Sequence, residues 1–303
     1  MIARPRPNKR LKLAGGDRSK GSRCVVPWRA RDVRPVLLRR RASRPQLKRD
    51  PLGCTTFMRQ SFLGLALAFS VPWAACQAQQ GTVPFVGCSA DGQSGPIQPP
   101  KGQPKVVSLG QHPAGAIAYY KGEQAPGVFA PAGWHCRVWY GSSGSSILVT
   151  PTPIDTTHLV PPKVVAPAVE MGLRLAGTSG RFSVASYASR LFPKILARFI
   201  EGVKNQHLVP DSEFAPRRYA RDSVSSVDSL VTEFTTPANV SGLGTEGLLG
   251  PSRDPIRGVA VIAPDPTEPD MSILRVRLGG NMRQVEAAVL RLNTECMKKT
   301  DGC

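Results

Sequence analysis

The sequence lacks the short motifs by which many enzymes and metal proteins are identified. It has no C-x-x-C pair, the pattern of a thioredoxin-like redox site or a zinc ribbon. After residue 78 it has no S-x-x-K and no H-E-x-x-H, the patterns of penicillin-binding proteins and zinc proteases. The carboxylates Asp265, Glu268 and Asp270 have the spacing of a solvated turn rather than a calcium loop. No cofactor and no metal ion are therefore predicted.

A run of about 20 apolar residues, which a membrane-spanning helix requires, is also missing. The most apolar stretch, residues 62–71, is shorter than that. It follows a cationic start at Arg59 and precedes Pro72 and small residues that end at Ala78. Because this is the layout of a bacterial export signal, we predict a signal peptide over residues 58–78 and a periplasmic or secreted protein.

Two alternatives for this stretch remain open. Residues 61–75 are also compatible with an ordinary core helix, since apolar runs of this length occur in protein cores. Cleavage before Cys76 would instead leave a lipid on that thiol, but Trp73 stands where a lipobox usually has an aliphatic residue. We therefore expect simple cleavage after Ala78 rather than a lipid anchor.

Acidic residues are scarce in the leader, residues 1–57. It contains 17 Lys and Arg against three Asp, whereas everything after residue 78 has a net charge of +4. Such a composition predicts disorder. We interpret the leader as an over-extended translation start, and the alternatives are a nucleic-acid-binding arm and an organelle transit peptide. Nucleic acid is an expected partner only if the leader is retained.

Four of the seven cysteines follow the signal: Cys88, Cys136, Cys296 and Cys303. An even number in an exported chain indicates two disulfides, and the sequence is compatible with three connectivities. The pairs that we expect are Cys88 with Cys136 and Cys296 with Cys303. Four reduced thiols in a cytosolic protein are the alternative.

Residues 79–105 are dominated by Gly, Pro, Gln and Ser, so we predict a tether or an irregular wrap there. Ordered structure is expected over residues 106–299, followed by a tail at 300–303. Strand pairs and helices are mixed in the ordered region. The predicted fold class is therefore α+β, a single domain with antiparallel β-strands and several short helices.

Local patterns predict where these elements lie. The clearest is a hairpin whose strands cover residues 135–140 and 145–150 around a Gly-Ser turn. Two short helices are expected on either side of Pro193, which cannot continue a helix. The other predicted elements are a short helix within residues 106–121, strands at 164–175, 224–234, 257–263 and 272–278, and a helix at 282–298.

The strand predicted at residues 272–278 alternates clearly between apolar and charged residues from Leu274 to Leu278. Alternation places Leu274, Val276 and Leu278 toward the core. It places Arg275 and Arg277 toward solvent. This is the pattern of a half-buried antiparallel strand.

A glycine motif later in the chain resembles a cofactor signature in its letters only. Gly242, Gly244 and Gly247 match the dinucleotide fingerprint G-x-G-x-x-G. That fingerprint needs a helix to begin at the glycines, but Gly250 and Pro251 follow here. We therefore predict a flexible loop.

Candidate nucleophiles are few. Ser143 lies in the Gly-Ser turn and does not complete G-x-S-x-G. Cys136 is next to His135, but neighbouring strand residues point to opposite faces, so this histidine cannot readily activate it. Ser143, His135 and Cys136 are the catalytic candidates, and the alternatives are a turn serine and a disulfide-bonded cysteine.

An aromatic and cationic cluster is the predicted binding site. Trp134, His135, Arg137 and Trp139 are expected to form one face of the hairpin. Such faces bind sugars, anionic groups or protein partners. The alternative is that helices cover these residues as part of the core.

Three segments carry a resemblance to a known family: GVFAPAGWHC at residues 127–136, YGSSGS at 140–145 and AGTSGRF at 176–182. Together they are similar to a family of uncharacterised exported proteins of GC-rich bacteria, over most of residues 84–296. The resemblance implies export through a signal peptide. It implies no activity, cofactor or catalytic residue.

The leading functional prediction is an exported, non-enzymatic protein that binds a cell-envelope component or a protein partner, or has a structural role there. The alternative is an exported hydrolase with a serine or cysteine nucleophile. The first requires an accessible binding surface, and the second requires a nucleophile within reach of a base.

Overall fold

The structure, a computed structural model, describes residues 80–110, 114–156 and 163–299 of the 303-residue chain. The predicted leader, signal peptide and C-terminal tail lie outside these residues. Within the described part, thirteen strands and three α-helices form an α+β fold. This confirms the predicted fold class.

A large sheet forms the central layer. Its strands are β3 (Ser89–Gly92), β7 (His135–Gly141), β8 (Gly144–Thr150), β9 (Ala168–Arg174), β10 (Ser223–Ser226), β11 (Val231–Thr236), β12 (Ile256–Ile262) and β13 (Met271–Arg277). Their order across the sheet is β10-β11-β12-β13-β9-β8-β7-β3. All neighbours are antiparallel except β3 and β7, which are parallel. The last strand in the chain, β13, therefore lies in the middle of the sheet.

Two smaller sheets lie beside it. One contains β2 (Phe85–Gly87), β5 (Ile117–Lys121) and β6 (Val128–Pro131), and the other pairs β1 (Gln80–Val83) with β4 (Lys105–Ser108). The structure thus places four strands, β1 to β4, in or at the end of the segment that its composition predicted as a tether. Each has only three or four residues, and β2 and β3 pair with β5 and β7, so local sequence carries little sign of them.

Three α-helices are present in the described residues: α1 (Arg181–Leu191), α2 (Ala197–Lys204) and α3 (Arg283–Met297). The break between α1 and α2 includes Pro193, as predicted, and α3 confirms the last predicted helix. The short 3₁₀ helices cover Ala114–Ala116, Asp211–Phe214, Pro216–Tyr219, Leu243–Thr245 and Gly280–Met282.

The prediction of a helix within residues 106–121 is wrong. Among its described residues this segment contains β4, a 3₁₀ turn at Ala114–Ala116, and β5. Four consecutive residues of β5 are buried: Ile117, Ala118, Tyr119 and Tyr120. A strand that is buried on both faces shows no two-residue period, so periodicity cannot distinguish it from a helix.

Other strand predictions need smaller corrections. The strand predicted at residues 224–234 is two strands, β10 and β11, around a turn in which the Leu230 N–H donates to Asp228 Oδ1 (2.8 Å). The strand predicted at 164–175 begins only at Ala168. The strands predicted at 257–263 and 272–278 are β12 and β13, each displaced by one residue.

The two faces of the large sheet are covered differently. On one face, which we call the α3 face, Val138, Met171 and Leu274 share a buried cluster with Val289 of α3. The opposite face, which we call the loop face, is covered by α1, α2 and residues 242–250. Each fully buried aliphatic side chain stabilises the fold by about 1.5–3 kcal/mol, so both faces contribute to the core.

A buried amide fixes α3 to the small sheet. Asn293 is fully buried, and its Nδ2 donates to the carbonyl oxygen of Phe129 in β6 (2.8 Å). The Phe129 N–H donates back to Asn293 Oδ1 (2.8 Å). The side chain thus occupies the position that a neighbouring strand would take beside Phe129.

The predicted hairpin is confirmed. β7 and β8 pair from His135 with Thr150 to Gly141 with Gly144. At the start of β7, Cys136 forms a disulfide with Cys88, which confirms the first of the two expected pairs. Cys296 is also disulfide-bonded, and its expected partner, Cys303, lies outside the described residues.

Candidate functional site

Arg275 and Arg277 are almost completely buried on the loop face, so the prediction that they face solvent is wrong. The predicted alternation is correct, but the face on which the arginines lie is covered. Arg275 Nη1 lies 3.4 Å from Oε1 of Glu170, which is also buried. Arg277 donates to three backbone carbonyls, those of Val164, Ala166 and Gly250.

The segment above these arginines, residues 242–250, is bound along its backbone by side chains, and we call it the clamped loop. Its N–H groups at Leu243, Gly244 and Leu248 donate to Asp222, Thr236 and Glu170, respectively. The Leu243 carbonyl accepts from Arg275 Nε (2.9 Å). Buried backbone groups outside regular structure need such partners. The segment predicted as a flexible loop is therefore fixed by the sheet beneath it.

Lys163 fixes the tip of the clamped loop. Its Nζ donates to the carbonyl oxygens of Thr245 (2.6 Å) and Gly247. Burial lowers the pKa of Lys163, and the nearby carboxylates of Glu170 and Glu246 act in the opposite direction. Glu246 stands between the two bound carbonyls, so its backbone has a defined position.

Glu246 lines a cleft of about 410 Å³ beside α1, which we call the Arg218 cleft. The polar groups of the cleft come from α1, from residues 211–219 and from the clamped loop. They belong to Ser183, Ser186, Tyr187, Glu213, Arg218, Tyr219 and Glu246. The cleft is open to solvent, since Glu213 and Glu246 keep 45% and 31% of their side-chain exposure.

Arg218 connects the carboxylates of the cleft. Its Nη1 contacts Glu213 Oε2, and its Nη2 donates to Glu246 Oε1 (3.1 Å). Nη1 also lies 3.4 Å from the Ser186 hydroxyl. The guanidinium carbon is 5.3 Å from the ring centroid of Tyr219, a cation–π distance. The cleft therefore presents a planar cation, two carboxylates and an aromatic ring together.

The two tyrosines link the cleft to the protein interior. The Tyr187 hydroxyl accepts from Nη2 of buried Arg275 (2.9 Å). Burial raises the pKa of Tyr219, and the Glu246 carboxylate raises it further, so the phenol stays neutral at physiological pH. The Tyr219 phenol is then a hydrogen-bonding group rather than a charge.

The residues of the predicted binding face are divided by the structure. His135 is exposed at the start of β7, and Arg137 and Trp139 lie on the same side of the strand. Arg137 is used within the fold, since its Nη2 forms an ion pair with Asp91 of β3 (3.2 Å). Trp134 packs against the cluster of the opposite, α3 face. The hairpin thus presents His135 and Trp139 without the predicted set of four.

The catalytic candidates are not assembled into a site. The Cys136 sulfur is bonded to Cys88, so it is not a thiolate nucleophile. Ser143 is exposed in the turn after β7, whereas His135 begins that strand. The length of β7, about 20 Å for six residues of extended chain, separates His135 from the turn that contains Ser143. This is beyond hydrogen-bond reach.

Side chains that could bind a metal ion are also dispersed. The described part of the chain contains no group of three His, Cys, Asp or Glu side chains able to bind an ion. Asp265 accepts from Thr267, and Asp270 accepts from the Ala176 N–H (2.8 Å). These carboxylates therefore stabilise turns.

No α-helix within the described ranges is long and apolar enough to cross a membrane.

Local sequence patterns indicate the Arg218 cleft only weakly. Its residues lie in three separate segments, and none belongs to a recognised motif. One usable signal was the pair Arg275 and Arg277 in an otherwise apolar strand, since two arginines on one face of a central strand need a polar cover. The cover is the clamped loop, which carries Glu246.

Comparison with protein-family models, with curated proteins and with solved structures found no match to this chain.

Proposed function

We propose that this chain is an exported, non-enzymatic binding protein of the cell envelope, and that its ligand is a saccharide bound in the Arg218 cleft. The observation that carries the proposal is the contact of Arg218 with both Glu213 and Glu246 beside the ring of Tyr219. The cleft replaces the hairpin face as the proposed binding site.

A saccharide matches this set of groups chemically. Adjacent sugar hydroxyls donate to carboxylate oxygens and accept from guanidinium N–H groups, and planar side chains can contact two hydroxyls at once. The apolar face of a sugar ring packs on an aromatic ring, which half-buried Phe182 supplies at the wall of the cleft. A volume of about 410 Å³ lies within the usual range of small-molecule sites.

The site is organised before any ligand arrives. Glu246 is carried by the clamped loop, whose backbone is bound by Lys163, Glu170 and Arg275. Arg218 is oriented by its two carboxylate contacts. Binding then loses little conformational entropy, which favours affinity without large contact area.

A non-enzymatic role fits the chemistry better than the hydrolase alternative. The cysteine candidate is bonded in a disulfide, and the length of β7 separates Ser143 from His135, the histidine of the hairpin. Export is supported by that same disulfide, since such bonds persist in oxidising compartments. It is also compatible with a described region that contains no membrane-spanning helix.

Two measurements test the proposal. Intact mass of the protein isolated from its own cells should correspond to a chain that begins near Gln79, and a full-length mass would refute export. For binding, the purified protein is screened on immobilised envelope oligosaccharides, and the best probe is titrated by calorimetry.

Glu246→Gln should lower the affinity for the titrated saccharide by about 10- to 100-fold, because it removes a charge-assisted hydrogen bond worth about 1.5–3 kcal/mol. The matched control is Glu286→Gln, which removes the carboxylate partner of Arg257, a residue that lines a different cleft, and should leave affinity unchanged. Failure of every oligosaccharide to bind, or equal affinity of Glu246→Gln and the original protein, would reject the saccharide site.

A further inference from the structure

A second cleft, distinct from the Arg218 cleft, collects positive charge. It has a volume of about 770 Å³ and lies between α1, α2 and residues 266–268. Its cationic lining residues are Arg181, Lys194 and Arg198, and its one carboxylate is Glu268. We call it the basic cleft.

The cations of the basic cleft have no acidic partners within the described structure. Arg181 donates to the neutral Gln206 side chain (2.9 Å) and to the Thr178 carbonyl (3.1 Å). No ion pair is formed there by Lys194 or Arg198, and both are exposed. This contrasts with Arg218 and Arg275, whose charges are each compensated by a carboxylate.

The placement of these cations on their helices is unfavourable without an added anion. Arg181 is the first residue of α1, and Arg198 is the second residue of α2. Helix N-termini carry partial positive charge and are stabilised by acids. Neither first turn contains an acid, and neither N-cap makes a side-chain hydrogen bond. Like charges are thus concentrated in the lining of one cleft.

We propose that the basic cleft binds a phosphate group. Arginine contacts phosphate oxygens through paired N–H donors, and a lysine adds a flexible point charge. Three cations around one open cleft match the three free oxygens of a phosphate monoester better than they match the two oxygens of a carboxylate. The phosphate belongs either to a lipid headgroup or to a small soluble ester, and the two sources share this chemistry.

The first test titrates the protein in the form isolated from its own cells with inorganic phosphate at low ionic strength and follows the backbone amide NMR signals of α1 and α2. The double variant Lys194→Gln with Arg198→Gln should bind phosphate about tenfold more weakly, because two exposed charge-assisted contacts are lost and the core is not disturbed. A matched control removes two exposed cations elsewhere, through Lys101→Gln with Arg253→Gln, and should change affinity less than about twofold.

Glu268→Gln supplies an opposite prediction, since it removes the only carboxylate that lines the basic cleft and should tighten phosphate binding. This outcome cannot result from loss of folding. The site is rejected if the original protein shows no phosphate-dependent shifts, or if the control pair weakens binding as much as Lys194→Gln with Arg198→Gln.

Vesicles identify the source of the phosphate. Co-sedimentation with vesicles of phosphatidylcholine and phosphatidic acid (3:1), whose acidic headgroup is a phosphate monoester, assigns a lipid headgroup if it depends on Lys194 and Arg198. Phosphate binding without co-sedimentation assigns a soluble ester. Because neither arm involves Glu246, these results are independent of the saccharide site.

Discussion

The guanidinium of Arg275 and the carboxylate of Glu170 form an ion pair, 3.4 Å apart, with both side chains buried at the centre of the loop face. Each partner also binds the clamped loop, Arg275 through the Leu243 carbonyl and Glu170 through the Leu248 N–H. The pair therefore connects the central strands to the segment that carries Glu246.

Removing Arg275 alone should be strongly destabilising. Arg275→Met leaves the Glu170 carboxylate buried without its charge partner, and such single deletions cost about 3–5 kcal/mol. Chemical denaturation of Arg275→Met measures this loss. Arg257→Gln, which breaks a half-exposed pair with Glu286, is the control and should cost at most about 1 kcal/mol. Similar losses in both variants would contradict the structural role of the buried pair.

The Lys163 contact should matter more for binding than for stability. Lys163→Met frees the carbonyls of Thr245 and Gly247, so the tip of the clamped loop should lose its defined position. Hydrogen exchange of residues 244–248 is expected to accelerate, and affinity for the saccharide to fall by about tenfold as preorganisation is lost. Accelerated exchange with unchanged affinity would show that Glu246 does not need its rigid support.

The Cys88–Cys136 disulfide should be a major source of stability. It closes a loop with a sequence separation of 48 residues, for which chain entropy gives about 4 kcal/mol. Substitution of both residues by alanine is expected to lower the free energy of unfolding by about that amount, measured by urea denaturation without reductant. A denaturation midpoint equal to that of the original protein would show that the bond is dispensable.

Alkaline pH should destabilise the fold through Tyr119. Burial raises its pKa to about 12, above the ordinary value of 10, so the folded protein favours the neutral phenol. This contribution is complete below pH 10 and is lost as pH rises through about 12. Between those values the free energy of unfolding should fall by about 2–3 kcal/mol.

Tyr119→Phe has no ionisable ring and should show a smaller fall over the same alkaline interval. Denaturation of both proteins at pH 9, 10 and 11 makes the comparison, and their difference between pH 6 and 8 should be constant. Parallel curves up to pH 11 would assign the alkaline loss to other groups, among them Tyr120, whose pKa burial also raises.

Local patterns in the sequence were sufficient for part of this fold. The β7–β8 hairpin, the helix break at Pro193 and α3 are each encoded by neighbouring residues, because turns, proline and helical periodicity act over short distances. The alternation of β13 was also correct. Alternation alone could not predict which face of β13 is exposed to solvent. The face that carries Arg275 and Arg277 is buried because a distant segment, the clamped loop, covers it.

The remaining features depend on contacts between distant segments. β3 is an edge strand of four residues, and its partner, β7, is more than 40 residues away in the sequence. Because this pairing is not visible locally, the composition of the segment predicted a tether. The Arg218 cleft likewise combines residues from α1, from residues 211–219 and from the clamped loop. Such sets follow from the tertiary fold and are invisible to local patterns.

The position of β13 has a consequence for how the chain reaches its native state. Because this strand lies between β9 and β12, the sheet stays divided into two unconnected parts until residues 271–277 have arrived. A chain that leaves the ribosome N-terminus first therefore cannot complete its core until β13 has emerged. Late closure of this kind makes β13 decisive for folding, although it is the last strand of the sheet to be synthesised.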